Sequence, residues 1–166
     1  MRNLDRQNRI TRFQTGISIA DIAKQDNVTF HTVYAYLWKL GVISNTYLSD
    51  EFEAALQQAD MPNPVREYPF VKMASPEMRA MFVAPKTRRV REWRTDFAYP
   101  WHKLAIEIDG GKWCSWGGAH GADREKRNAY AVIGWRVLYF DTDMLEDPQA
   151  CVAMVRIALR GSEEER

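Results

Sequence analysis

Cysteine is scarce in this chain, and its scarcity excludes two structural classes. Cys114 and Cys151 are the only cysteines among 166 residues. They are too few and too far apart for a thiolate zinc site, and too few for the disulfide framework that stabilises small secreted domains. The cysteine content therefore predicts a protein of a reducing cytoplasm.

Long apolar runs and a strong net charge are also missing. No segment reaches the roughly 20 apolar residues that a membrane-spanning helix needs, and the opening residues, MRNLDR, lack a signal-peptide core. We therefore expect no membrane partner. The net charge is only +1, but residues 1–45 carry six basic and three acidic side chains, whereas residues 141–166 carry three basic and seven acidic ones.

The chain does contain enough apolar surface for one core and a small helical appendage, since 46% of its residues are hydrophobic and 12% are aromatic. A linker is predicted near residues 44–49. It divides the chain into an all-α domain, residues 1–45, and an α/β domain, residues 46–166. In the second domain we expect a helix to about residue 59, a strand over 65–71 and a final helix over 148–159.

Two predicted strands carry three carboxylates. Residues 93–97 and 103–109 are rich in β-branched, aromatic and aliphatic side chains, and Pro100 with its neighbours separates them. Because side chains alternate across a strand, Glu107 and Asp109 share one face, and Asp96 can lie opposite Glu107 across the hairpin.

Three acids so arranged are typical of a metal site. Like charges this close raise one another's pKa unless a cation or a proton offsets them. Carboxylate oxygens without a cluster of Cys or His favour Mg²⁺ or Mn²⁺ over zinc. The alternative is a hairpin whose acids simply face solvent, and the spacing alone is compatible with both.

The residues after the hairpin favour the metal site. A glycine-rich segment carrying His120 leads into a predicted helix over 122–133, whose ionic face includes Asp123 and Lys126. Gly134 is a typical helix end, and the bulky residues at 135–140 predict a buried strand. The predicted order is strand, strand, helix, strand.

Together these residues resemble the PD-(D/E)XK, or restriction-endonuclease-like, nucleases. The resemblance covers about residues 46–160 and rests on Asp96, Glu107-Ile-Asp109-Gly, His120 and the segments DREKRN and GWRVLYF. The nearest branch in appearance contains the very-short-patch mismatch repair endonucleases and related phage and homing nucleases. It implies a mixed sheet flanked by helices, and a prokaryotic cell or phage-infected host as the setting.

The resemblance also implies roles for individual residues. Asp96 would be the metal-bridging acid, Glu107 the second acid, and the backbone carbonyl of Ile108 a further ligand. His120 would transfer a proton, with Asp123 beside it. A loop histidine that is hydrogen-bonded to the backbone is the alternative for His120.

Two positions depart from the family pattern. Asp109 occupies the place of the lysine that follows the second acid, so it is a candidate third acid, and we hypothesise that Lys126 replaces that lysine from the helix. Relatives often carry a glutamate on the first helix of the nuclease fold. Here that helix offers Asp50, Glu51 and Glu53 as additional acids.

The amino-terminal part contains a separate pattern. Ser18 with Asp21 and Thr29 with Thr32 are helix start signals on either side of a short turn, after an earlier helix over about residues 5–13. The arrangement resembles a helix-turn-helix, whose second capped helix enters the major groove of DNA. A small helical bundle that docks on protein is the alternative. The predicted DNA-facing residues are Phe30, His31, Tyr34, Trp38 and Lys39.

A basic cluster directly precedes the first acid. It consists of Lys86, Arg88, Arg89, Arg91 and Arg94, interrupted by Glu92. A phosphate backbone attracted to it would arrive beside the predicted metal site. We predict DNA contacts for Arg88, Arg89 and Arg91, with a merely soluble basic loop as the alternative.

The sequence therefore predicts a Mg²⁺-dependent DNA endonuclease, with Mn²⁺ as an alternative ion, whose DNA binding is aided by the N-terminal helices. Hydrolysis of a phosphodiester needs a nucleophilic water and cations that offset charge on the phosphate, which carboxylate-held metal ions supply. Two other interpretations stay open: a DNA-binding regulator on a nuclease scaffold that no longer cuts, and a protein-interaction module. A homodimer is compatible with the sequence.

Overall fold

The computed structural model describes residues 2–44, 46–109 and 120–161, and within them the side chains of all but residues 2–7 and 120–123. The helices are Arg2–Gln14 (α1), Ile19–Asp26 (α2), Phe30–Lys39 (α3), Tyr47–Gln58 (α4), Pro76–Ala80 (α5), His120–Ile133 (α6) and Pro148–Arg160 (α7). The strands are Val65–Tyr68 (β1), Thr95–Tyr99 (β2), Leu104–Asp109 (β3) and Arg136–Asp141 (β4).

The strands form one mixed sheet in the order β1-β2-β3-β4. β1 pairs with β2 and β2 with β3 in antiparallel fashion, whereas β3 and β4 are parallel. A parallel pair needs a long crossover, and the segment between β3 and β4 contains α6. The predicted α/β fold, a mixed sheet flanked by helices and preceded by a helical segment, is confirmed.

Most buried apolar side chains form one cluster that runs from the first helices into the sheet. Leu37 of α3, Phe52 of α4, Phe97 of β2 and Val155 of α7 belong to it, and each is 0% exposed. The Phe52 ring lies 5.6 Å from Phe97 and 5.4 Å from Phe140 of β4, so it joins the helical layer to two strands. Packing is thus continuous across residue 45, and the division into two domains stays a prediction.

A second, smaller cluster lies between α6 and the other face of the sheet. Ala129, Tyr130 and Ile133 of α6 pack there against Ala105 of β3 and against Phe70. The rings of Phe70 and Tyr130 are stacked, with centroids 4.0 Å apart. This cluster fixes α6 over the strands that carry the candidate site.

Both predicted start signals in the amino-terminal helices act as caps. The Ser18 hydroxyl accepts the amide of Asp21 at 3.0 Å, and the Thr29 hydroxyl accepts that of Thr32 at 3.2 Å. The turn between α2 and α3 passes through Asn27, whose φ of 52° is a left-handed value that asparagine tolerates. α1 is longer than predicted and begins at Arg2.

The first strand is shorter than the predicted 65–71. Glu67 has a φ of 50°, which interrupts the regular alternation of side chains. Arg66 lies over the Phe97 ring on the α4 side, whereas Tyr68 contacts Trp135 in the cluster beneath α6. The chain then leaves the sheet and buries Phe70 in that cluster.

Candidate active site on strands β2 and β3

Asp96 and Glu107 lie side by side at the centre of the sheet. Phe97 is paired with Ile106 in the antiparallel ladder of β2 and β3, so Asp96 and Glu107 are the next residues on each strand. The backbone amide of Ile108 donates a hydrogen bond of 2.6 Å to Oδ2 of Asp96. The hairpin therefore brings these two acids together, in the arrangement that the alternation of side chains predicts.

Helix α6 supplies two donors to Glu107. The ammonium group of Lys126 lies 2.6 Å from Oε1 of Glu107, and the Tyr130 hydroxyl donates a hydrogen bond to the same oxygen. Lys126 and Tyr130 are four residues apart and so occupy one face of the helix. The Nζ atom of Lys126 is also 6.0 Å from the centre of the Tyr130 ring. Lys126 thus reaches the second acid from the helix. Its proposed replacement of the family lysine stays a hypothesis.

Burial controls the electrostatics of both acids. Desolvation raises the pKa of Asp96, and the hydrogen bond from Ile108 and the charge of Lys126 only partly counteract it. Desolvation likewise raises the pKa of Glu107 against the opposing effects of Lys126 and Tyr130, and the nearby charge of Asp96 raises it further. Burial and the negative charge of Glu107 raise the pKa of Tyr130, so its hydroxyl stays a hydrogen-bond donor.

These pKa shifts predict how stability depends on pH. The folded state binds protons to Asp96 and Glu107 more tightly than the unfolded chain, so their contribution is favourable below the ordinary pKa values of 3.8 and 4.5. It is lost as the pH rises through their folded pKa values. In EDTA, we expect Asp96→Asn to unfold at higher urea than the unaltered protein at about pH 7, with a smaller difference near pH 4.

A matched control for this measurement is Asp60→Asn. Asp60 is exposed after α4, and asparagine tolerates its left-handed φ of 51°. The control should show no comparable change in the stability difference between the two pH values. An Asp96→Asn variant that is less stable than the unaltered protein at neutral pH would contradict the prediction.

The remaining predicted ligands lie near the end of β3. Asp109 is the last residue of β3 and pairs with Asp141 of β4, and its carbonyl accepts a 3.4 Å hydrogen bond from buried Thr142. Ile108, whose carbonyl is the predicted further ligand, directly follows Glu107. Within the described side chains, no group of three or more His, Cys, Asp or Glu residues is arranged to hold a metal ion.

Two predicted residues begin α6. His120 is its first residue and Asp123 belongs to its first turn, but both side chains lie outside the described part of the structure. Their predicted roles in proton transfer therefore stay predictions.

The acids of α4 interact with β1. Arg66 lies 2.9 Å from Asp50 and 3.0 Å from Glu53, whereas Glu51 is exposed. Hydrogen bonds from Thr46 and Arg66 hold the pKa of Asp50 below its usual value. The structure therefore places Glu53 and Asp50 in an ion-pair network with the edge strand.

Two residues of α3 that were predicted to face DNA, Phe30 and Tyr34, are buried. Phe30 and Tyr34 are only 6% and 7% exposed, because their rings stack on each other and Tyr34 also contacts Tyr47 of α4. They belong to the core and do not face outward. Lys39 is exposed, and His31 and Trp38 are half-buried, so contacts of these three with DNA stay predictions.

Two cations of the amino-terminal helices form ion pairs within the protein. Arg12 lies 2.7 Å from Asp26, and Arg9 forms a second ion pair with the same carboxylate. Burial raises the pKa of Asp26, but hydrogen bonds from Arg12 and Arg9 outweigh this effect and lower it overall. These cations tie α1 to α2 and are not available to a ligand in this arrangement.

Three cations of the basic cluster, Lys86, Arg88 and Arg89, lie on a short β-hairpin. Val83 and Val90 form an antiparallel bridge, and the amide of Ala84 donates to the carbonyl of Arg89 at 2.8 Å. Arg91, at the base, lies 2.7 Å from Glu125 of α6. Helix α5 and the first arm of this hairpin lie within residues 72–85, a segment without a clear sequence pattern.

Comparison with known proteins yields one similar structure. No model of a known protein family matches the chain, and no curated protein is significantly similar to it. The catalytic domain of the homing endonuclease I-Bth0305I is similar with a TM-score of 0.47 and 20% sequence identity, over 69% of this chain and 95% of that domain. A likeness at this TM-score assigns no function.

In the described ranges, no helix is both long and apolar enough to span a bilayer.

Tyr130 is the residue of this site that the sequence interpretation missed as a participant. Its place on the ionic face of α6, four residues after Lys126, was the available signal. In the structure its ring packs against Phe70. Its hydroxyl nevertheless bonds the second acid.

Proposed function

We propose that this protein is a DNA endonuclease that hydrolyses phosphodiester bonds with the help of a divalent cation. The observation that carries this proposal is the pair of half-buried carboxyls, Asp96 and Glu107, next to each other on neighbouring strands with Lys126 2.6 Å from Glu107. Two acids with pKa values raised by burial and one ammonium group are a suitable arrangement for handling a phosphate and a water.

The two acids suit a hard cation such as Mg²⁺ or Mn²⁺. Ile108 donates to one oxygen of Asp96, and Lys126 and Tyr130 both approach the same oxygen of Glu107. Mg²⁺ is commonly bound by one or two protein carboxylates, with water and substrate phosphates as the other ligands. When bound, such an ion would activate water and offset charge on the phosphate.

The side chains around the acids have distinct proposed roles. Asp96 and Glu107 would hold the cation, with the Ile108 carbonyl and Asp109 as further oxygen donors at the end of β3. Lys126 would orient the attacking water or a phosphate oxygen while it neutralises Glu107. His120, at the start of the same helix, is the proposed proton-transfer group.

DNA is the proposed substrate because of the basic hairpin that leads into β2. Residues 83–90 end five residues before Thr95, the start of the strand that carries Asp96. The amino-terminal helices are proposed to aid binding through Lys39, His31 and Trp38 rather than through the buried aromatic residues of α3. This surface carries fewer free cations than the sequence indicates, because Arg9 and Arg12 are paired with Asp26.

The test is incubation of the purified protein with supercoiled plasmid in Mg²⁺, in Mn²⁺ and in EDTA. We expect relaxed or linear product in either metal and intact plasmid in EDTA. Relaxed product indicates nicking of one strand, whereas linear product indicates double-strand cleavage. Intact plasmid in all three conditions, together with intact mismatched and branched DNA, would overturn the proposal.

Tyr130→Phe should slow cleavage by about tenfold or somewhat more, because it removes a hydrogen bond to a charged group, a contact worth about 1.5–3 kcal/mol. The phenyl ring keeps the stack on Phe70, so the fold should be retained. The measurement is the single-turnover cleavage rate in Mg²⁺ beside a thermal unfolding curve. Tyr99→Phe is the matched control, because it removes a hydroxyl that donates to the carbonyl of Pro62 on the opposite face of the sheet. An equal loss in both variants would contradict a specific role for Tyr130.

A second candidate is a DNA-binding regulator that does not cut. The observation that favours it is the ion pair of Lys126 with Glu107, which satisfies one of the two acids without a metal. A regulator should bind DNA equally well with and without Mg²⁺ and should leave plasmid intact. Asp96→Ala should then change neither property.

A further inference from the structure

The five cations that precede β2 separate into two groups according to their contacts. Arg94 donates to the carbonyl of Glu67 at 3.0 Å, and Arg91 lies 2.7 Å from Glu125. Lys86, Arg88 and Arg89 are exposed, and among the residues the structure describes their side chains form no ion pair and no hydrogen bond. The sequence shows one basic cluster, whereas the structure shows two anchors and three unpaired tip cations.

The hairpin of residues 83–90 presents the three unpaired cations at its tip. Its arms are joined by the bridge between Val83 and Val90, and the amide of Arg91 donates to the carbonyl of Phe82 at 2.8 Å. Arg88 has a left-handed φ of 55°, a conformation that glycine adopts more easily. An arginine is thus kept at a turn position where a glycine would be less strained.

The base of the hairpin is fixed to the helix that carries Lys126. The ring of Trp93 packs edge-on against Phe82, with centroids 6.1 Å apart, and the Arg91 guanidinium lies 5.5 Å from the Trp93 ring centre. Glu125, the partner of Arg91, directly precedes Lys126 in α6. One helix therefore connects the base of the hairpin to the candidate site.

We propose that Lys86, Arg88 and Arg89 clamp the phosphate backbone of double-stranded DNA, and that Arg91 is a positioning residue that holds this clamp against α6. The partner follows from charge and from the kind of side chains present. Exposed, unpaired cations match phosphates, and the tip, residues 84–89, contains no aromatic side chain on which an unpaired base could stack. The aromatic residues at the base pack on each other instead. The inference rests on the proposed nuclease function only in taking DNA as the ligand.

Salt dependence of binding tests the clamp directly. The full-length protein is titrated in EDTA with a labelled duplex of about 20 base pairs, and with its single strand, at several salt concentrations. Each phosphate contact contributes about 0.9 to the slope of log affinity against log salt. We therefore expect Arg89→Gln to lower the slope by about 1, and the triple change Lys86→Gln, Arg88→Gln, Arg89→Gln to lower it by about 3. The duplex should bind more tightly than the single strand.

Two variants guard against misfolding and general charge effects. Arg160→Gln makes the same chemical change on α7, against the opposite face of the sheet from α6, and should keep the original slope. Arg88→Gly should raise the melting temperature, because it relieves a left-handed arginine, and should still weaken duplex binding. An unchanged slope in the triple variant, or equal losses in Arg89→Gln and Arg160→Gln, would overturn the clamp.

The anchoring role of Arg91 has its own readout. Arg91→Gln and Glu125→Gln should each slow cleavage, and the double variant should be no slower than either single one, because all three lose the same contact. Glu125→Gln also removes a negative charge, which on charge alone would strengthen DNA binding. Faster cleavage by Glu125→Gln, or additive losses in the double variant, would contradict the anchor.

The clamp is tested by DNA binding and the nuclease by cleavage, so either proposal can be contradicted while the other holds. A reduced salt slope in the triple variant, with no cleavage by the unaltered protein in any metal, would retain the clamp and remove the nuclease. Metal-dependent cleavage by the unaltered protein, with an unchanged salt slope in the triple variant, would retain the nuclease and remove the clamp.

Discussion

Asp96→Asn is expected to lower the rate of plasmid cleavage by about 10³-fold or more while duplex affinity in EDTA stays within about twofold. The asparagine can still accept the amide of Ile108 but carries no charge to hold a cation. Loss of an electrostatic group at the reacting phosphate typically costs about 10²–10³-fold, and loss of a metal ligand at least as much. The same variant should be more stable than the unaltered protein at neutral pH, because a partly desolvated charge is removed.

The experiment is informative because Asp96→Asn should lower the cleavage rate but raise the stability of the fold. A variant that merely unfolds loses both, whereas a regulator that does not cut has no activity to lose. Asp60→Asn, an exposed acid after α4, serves as the control and should cleave at the original rate. Cleavage by Asp96→Asn within tenfold of the unaltered protein would remove Asp96 from the active site.

Lys126→Met should reduce cleavage by about 10²-fold and shift the acid limb of the pH–rate profile to higher pH. The ammonium group lies 2.6 Å from Glu107 and lowers a pKa that burial raises, so removing it lets the pKa of Glu107 rise further. A higher pH is then needed to ionise this acid. The loss corresponds to one strong charge-assisted contact together with the electrostatic role of the lysine.

The measurement is the single-turnover rate in Mg²⁺ across about pH 5.5–9, with Lys126→Arg and Arg124→Met beside it. Lys126→Arg keeps a cation at this place and should recover part of the rate and most of the pH profile. Arg124 is exposed near the start of the same helix and should be close to neutral in both respects. A reduced rate with an unchanged pH profile in Lys126→Met would mean that the lysine does not control the ionisation of Glu107.

The sheet and the two acids could be predicted from sequence because their signals are local. The hairpin follows from alternation on either side of Pro100, which forms a 3-10 turn over Pro100–His102 in the structure. A left-handed Gly134, φ 78°, ends α6 just before β4. The pairing of Phe97 with Ile106 then fixes the register of the two strands and places Asp96 beside Glu107.

The orientation of α3 could not be predicted in the same way, because aromatic residues occur on more than one face of that helix. The sequence interpretation placed the first three helices in a separate domain, residues 1–45. Tyr47 of α4 covers Tyr34, which stacks with Phe30, so the apolar face of α3 is completed by a helix that begins within the predicted linker of residues 44–49. Such a contact depends on tertiary packing and leaves no local pattern. The left-handed Glu67 is equally hard to predict, since glutamate has no preference for that conformation.

The irregularity at Glu67 also bears on how the protein avoids self-association. β1 is an edge strand, and a straight edge offers its unpaired backbone groups to any other strand. Here the edge has four residues, is bent at its third residue, and exposes the charged side chains of Arg66 and Glu67. Another chain could not continue the hydrogen-bond ladder past this bend. The twist that sends Arg66 and Tyr68 to opposite faces of the sheet thus also protects the molecule against edge-to-edge aggregation.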